Sequence, residues 1–190
     1  MKSFFKIFTL LLTANLLFAC SNDDDSTAIN EEEVITTLIV TFVPQGGGNA
    51  IELKSQDLDG DGPDAPIMTI SGSFLSNTTY NGEVEFLNEL VSPPDNITEE
   101  VAEESIEHQV FFNVSAGLGT VSYNDMDADG NPIGLDISFQ TENATVITQI
   151  MTVTLRHEPN KDAEGVSDGD IANAGGETDI EVMFSPITVE

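Results

Sequence analysis

From Val34 onward, short runs rich in Val, Ile, Thr and Phe alternate with clusters of Gly, Asn, Asp and Pro, the pattern of strands separated by turns. The spacing predicts strands near 34–43, 50–56, 66–72, 80–90, 108–114, 119–125, 133–140, 146–157 and 178–189. Apolar and polar positions alternate in several of them. Leu135, Ile137 and Phe139 fall on one face, with Asp136, Ser138 and Gln140 on the other. Ile147, Met151, Val153 and Leu155 likewise oppose Thr148, Thr152, Thr154 and Arg156. Ile180, Val182 and Phe184 share a face until Pro186, which breaks or bulges the last strand.

One short acidic helix is expected near 96–106. Asn96 stands at its start, Glu99 three residues on as in a capping box, and Ile97 and Val101 share a face. Nine strands and one helix predict an all-β fold, a two-sheet antiparallel sandwich of immunoglobulin-like form spanning residues 33–190 as a single domain. The turn Leu75–Thr79 leads into Tyr80 either as a tyrosine corner or as simple packing at a sheet edge.

The first residues read differently. Lys2 and Lys6 precede an apolar run from Ile7 to Phe18, broken only by Thr9, Thr13 and Asn15. About a dozen residues is too short to span a hydrocarbon core of roughly 30 Å, and the run has the shape of a signal peptide, residues 1–19. It ends in Leu17-Phe18-Ala19-Cys20, which resembles a lipobox, and Cys20 is the chain's one cysteine. A lone thiol in an exported chain makes no internal disulfide, so lipidation of Cys20 is the expected use. Residues 20–32 then form an acidic tether. Ser21-Asn22-Asp23-Asp24-Asp25 resembles the acidic export tag of flavobacterial-type lipoproteins, and Asp25-Ser26-Thr27 an O-glycan acceptor at Ser26. The expected place is the outer membrane, lipid-anchored through Cys20 and exposed at the cell surface, with a periplasm-facing placement the alternative.

Charge narrows the partners. The formal net charge is −29, and only Lys54, Arg156 and Lys161 are basic beyond residue 20. Such a surface is the wrong sign for nucleic acid or anionic lipid. Two loops, Asp57-Leu58-Asp59-Gly60-Asp61-Gly62 and Asp125-Met126-Asp127-Ala128-Asp129-Gly130, match the opening of a calcium loop, where alternate carboxylates converge and glycine permits the turn. The twelfth position falls on Met68 in the first and Asp136 in the second. Calcium is therefore a candidate cofactor and no other is expected, its candidate ligands being Asp125, Asp127, Asp129 and Asp136 or Asp57, Asp59 and Asp61. The same residues are also turn formers that need no metal, and Asp129-Gly130-Asn131-Pro132 reads as a hairpin loop.

Catalytic motifs are weak. Gly165-Val166-Ser167-Asp168-Gly169 matches a nucleophile elbow but lies in a polar loop without the strand and helix that an elbow needs. His108 and His157, the only histidines, each stand beside a glutamate near a strand end and read as surface or structural side chains. The expected function is a non-enzymatic binding or adhesion module for an envelope protein or glycan. The alternative is a structural or accessory subunit of an envelope complex, with an envelope hydrolase as the remote third.

Several stretches resemble a family of small flavobacterial lipoproteins of unknown function. They are Glu32–Thr37, Asp57–Gly62, Asn77–Gly82, Glu107-His108-Gln109, Leu155–Lys161 and Ala174–Asp179. Members often carry the label type 1 periplasmic binding fold. That label implies a two-lobed α/β receptor, and the strand pattern here carries neither its helices nor its length.

Overall fold

The computed structural model describes residues 33–60 and 62–190. The signal segment, Cys20, the tether with Ser26, and Asp61 lie outside them. Among the described residues, ten strands and one α-helix follow in order: β1 (Thr37–Pro44), β2 (Ile51–Gln56), β3 (Ile67–Ile70), β4 (Thr79–Asn88), β5 (Asp95–Asn96), α1 (Ile97–Glu103), β6 (His108–Val114), β7 (Gly119–Tyr123), β8 (Asp136–Thr141), β9 (Thr145–His157) and β10 (Glu177–Val189). One sheet has the order β3-β2-β1-β4-β8-β7, with the two residues of β5 beside β4, and the other is β10-β9-β6. Every pairing between these strands is antiparallel.

This order is that of a constant-type immunoglobulin domain. With β1, β4, β6, β7, β8, β9 and β10 as strands A to G, the sheets read ABED and CFG. The β2–β3 hairpin is inserted between A and B and lies outside β1. Phe74 crosses from one sheet to the other as a parallel bridge to Val189, its N–H donating to Thr188 O and its carbonyl accepting from Glu190 N–H.

The alternation sorts residues as expected. Leu38, Val40, Phe42, Phe86, Ile137, Phe139, Met151, Val153, Leu155 and Phe184 are fully buried. Ile147 departs from the pattern and is 69% exposed. Between the sheets, Phe42, Phe74, Tyr80 and Phe139 pack edge to face or tilted, with centroids 5.2–5.5 Å apart. This geometry suits the ring quadrupoles. The Tyr80 hydroxyl accepts from Leu75 N–H at 2.8 Å, so the corner forms, here at the start of the second core strand.

Helix α1 buries Ile97 and Val101 against β4. Asn96 makes no backbone cap; instead its Nδ2 donates to Glu99 Oε1 at 3.1 Å. The long connection from β9 to β10 covers part of the outer face of the small sheet, where Val166 and Ala174 bury Phe111 in a second, smaller core. At Pro186 the β9–β10 register shifts, the irregularity expected of a residue without an N–H.

Truncating Phe74 to Ala should cost about 3–5 kcal/mol through the cavity it leaves. Tyr80→Phe should cost about 1–3 kcal/mol, since Leu75 N–H loses its buried acceptor. Urea unfolding of the two variants checks both, and a Tyr80→Phe midpoint equal to the parent's would show that the corner bond contributes nothing.

Candidate metal centre

Two buried histidines close one end of the small sheet. His108 opens β6 and His157 ends β9, and the two stand directly opposite in the ladder. Each continues an inward-facing apolar series, Val110 and Phe112 from one side and Leu155 and Val153 from the other, so both point at the core. His108 is fully buried, His157 is 3% exposed, and their ring centroids lie 4.6 Å apart.

Two carboxylates meet them there. Glu33 arrives on the segment that leads into β1, and Asp179 from the start of β10. On β10, Thr178 pairs with Arg156 while Ile180 already pairs with Leu155, which makes Asp179 the extra residue of a β-bulge. A bulge re-aims side chains, and Asp179 reaches both imidazoles with its side chain 3% exposed. The turn before it depends on Gly176, at φ +68, where an added Cβ would lie 2.2 Å from His157 O. Only glycine fits this close approach.

The distances define a small, closed set. His108 Nε2 is 3.0 Å from Glu33 Oε1 and 3.9 Å from Asp179 Oδ2. His157 Nδ1 is 4.0 Å from Glu33 Oε2 and 3.8 Å from Asp179 Oδ1. Behind the rings, His108 Nδ1 is 3.3 Å from Glu104 O, and His157 Nε2 is 3.9 Å from the exposed carboxylate of Glu107. Neither His108 Nε2 nor Glu33 Oε2 makes a hydrogen bond. The surroundings are negative. Burial and then Asp95, Glu33, Glu104 and Glu103 hold the neighbouring Glu100 above the usual carboxylate range.

The aspartate loops are organised otherwise. Asp125 accepts from the N–H groups of Gly134, Leu135 and Asp136 at 2.7–3.0 Å. These donors are thereby withdrawn from a ladder, so β8 starts at Asp136, three residues later than the pattern predicts. Asp127 accepts from Asp129 N–H and Asn131 N–H, and from Lys161 Nζ at 2.9 Å. Lys161 also donates to Ser105 O and Pro132 O, so an ammonium occupies the middle of this hairpin loop. Asp136 takes Asn124 Nδ2, and Asp129 is exposed at the tip. In the first loop Asp57 accepts from Asp59 and Gly60 N–H, and Asp59 from Asp64 N–H.

Among the described residues, the acid and histidine groups whose ligand atoms lie within 4.8 Å of one another are Glu33–His108–His157–Asp179 and Glu107–His157–Glu158. Asp57, Asp59, Asp125, Asp127, Asp129 and Asp136 belong to neither. The sequence pattern pointed to the aspartate loops because D-x-D-x-D-G is contiguous. Four donors from four distant segments leave no such trace. Ser167 does not stand in a strand-to-helix elbow. It sits in a 3-10 turn between left-handed Gly165 and Gly169, and its hydroxyl donates to Lys161 O at 2.8 Å.

No protein-family model, curated protein or solved structure matches this chain.

Burial pushes the Asp127 carboxyl up, but bonds from Lys161 and the Asn131 and Asp129 N–H groups outweigh it and hold the group below its ordinary value. Its stabilising effect is therefore complete above the unfolded value of about 3.9 and is lost as pH falls through the lower folded value. Asp127→Asn should cost about 3–5 kcal/mol at neutral pH by stranding a buried ammonium. Denaturation from pH 7 to 2 should show that difference constant down to about 4, then shrinking. A difference that is flat throughout would remove the ion pair from the acid response.

Proposed function

We propose that the chain is a lipid-anchored, non-enzymatic binding or adhesion module of a bacterial envelope. Cys20 carries the lipid, residues 21–32 serve as tether, and the sandwich faces an envelope protein or glycan at the outer membrane surface. The observation that carries the non-enzymatic part is the employment of the reactive side chains. Ser167 and Lys161 hold loops together, and both histidines are buried under carboxylates. A partner has a surface to use on the outer face of the small sheet. There Phe111, Ile171 and Met183 line a hollow edged by Asp170 and Glu181.

Calcium enters this proposal as a counter-ion to the acidic surface, because the carboxylates of Asp125 and Asp127 already have donors. Sodium chloride at matched ionic strength should then raise the melting temperature as much as calcium does, through screening. A rise specific to calcium and lost in Asp129→Asn would assign it to the loop.

The anchor is tested in cells. A clickable palmitate should label the parent chain, and Cys20→Ala should abolish the label and release the chain from the membrane fraction. A labelled Cys20→Ala chain, or an unlabelled parent found free in the medium, would overturn the anchor.

A further inference from the structure

We infer that Glu33, His108, His157 and Asp179 bind one divalent transition-metal ion of the zinc class, and that this ion cross-links the two sheets. The inference is independent of where the chain is anchored.

Donor type and direction come first. If Nδ1 of His108 donates to Glu104 O, its Nε2 presents a lone pair, and that lone pair faces the oxygens of Glu33 and Asp179. Acceptors facing acceptors in a buried site are unfavourable unless a cation lies between them. Nε2 of His108 and Oε2 of Glu33 are both buried without a hydrogen bond, as ligand atoms are when their partner is an ion. A metal-bound imidazole characteristically directs its second nitrogen to a backbone carbonyl or a carboxylate. Glu104 O stands in that position for His108, and Glu107 for His157.

Size and charge agree. A tetrahedral ion with bonds of about 2.0–2.1 Å separates its ligand atoms by roughly 3.3 Å. The nitrogen-to-oxygen distances across the cluster run from 3.0 to 4.0 Å, so small side-chain movements seat such an ion. Two carboxylates carry two negative charges, which a divalent ion neutralises while both imidazoles stay neutral. Two nitrogens and two oxygens suit zinc and its neighbours in the first transition row. Calcium and magnesium, which want six or more ligands and nearly all oxygen, fit poorly.

Position supplies the role. Glu33 leads into β1 of the large sheet, while His108, His157 and Asp179 belong to β6, β9 and β10 of the small one. Antibody domains join their sheets by a disulfide. This chain has one cysteine, at position 20, and its described residues hold none. A buried ion at the end of the core would make the covalent-like tie that the disulfide makes elsewhere. The exposed carboxylates of Glu107 and Glu158 flank His157 on its outer side and offer the ion a way in.

The test uses the full chain, stripped with chelator and titrated with zinc alone. Expected are one tightly held zinc per chain and a melting temperature higher by several degrees. Glu33→Gln and Asp179→Asn keep the side-chain shape and should weaken zinc binding by more than about 100-fold, with Glu107→Gln weakening it by about 10- to 100-fold. Melting in chelator checks that each variant is folded, so a binding loss is not an unfolding artefact. Cobalt(II) gives a second readout, an intense visible absorption in a tetrahedral site, which zinc should abolish and calcium should leave unchanged. Loose zinc uptake common to the parent and all three variants would overturn the inference, as would a weak, octahedral cobalt spectrum. In either event the cluster is a histidine–carboxylate pair network bridged by protons.

Discussion

Burying two carboxylates beside two imidazoles, with no lysine or arginine nitrogen within 4.0 Å of either acid among the described residues, is the constraint around which this end of the molecule is arranged. Taking charges out of water costs several kcal/mol for each ion even after relaxation, so something must hold the four groups together. The backbone carries the marks of that demand. Asp179 is the extra residue of a bulge, Gly176 is confined to a left-handed turn against His157 O, and the carbonyl of Glu104 backs the ring of His108. The segment 104–108 serves a second centre as well. Ser105 O takes the ammonium of Lys161, which in turn fastens the β7–β8 loop through Asp127. One short stretch after α1 thus joins two buried polar clusters.

These two clusters solve the same problem in different ways. At Lys161 the cation is supplied by the chain and has three acceptors at hydrogen-bond distance, two of them neutral carbonyls. At His108 and His157 the chain sets two imidazoles against the carboxylates of Glu33 and Asp179. A sequence with only three basic residues beyond position 20 has few cations for its interior, and the ion inferred above would fill the place of a second lysine.

The strands, their alternation and the sandwich could be read from the chain because each depends on neighbours two residues apart. Ile137 and Phe139 are fully buried and Leu135 packs half-buried against the same core, as the period demands. Strand ends were less legible wherever a side chain outbid the ladder for backbone donors, as Asp125 does at Gly134 to Asp136. The candidate centre was hidden for a related reason. Its donors are separated by 75, 49 and 22 positions in sequence and meet only through the pairing of β6, β9 and β10. His108 and His157 read as isolated polar residues at strand ends until the register sets them side by side. The aspartate repeats, by contrast, stand out in the sequence, yet the fold gives Asp125 and Asp127 backbone and lysine partners.

The inserted β2–β3 hairpin changes how the domain would carry mechanical load. In the plain ABED order the first strand is an edge, bound on one side only. Here β1 is flanked by β2 and β4 along nearly its whole length. A pull entering the chain just ahead of Glu33 therefore has to shear hydrogen-bond ladders on both sides of the first strand together. Peeling from a free margin, the easier way to open a sheet, is denied to it.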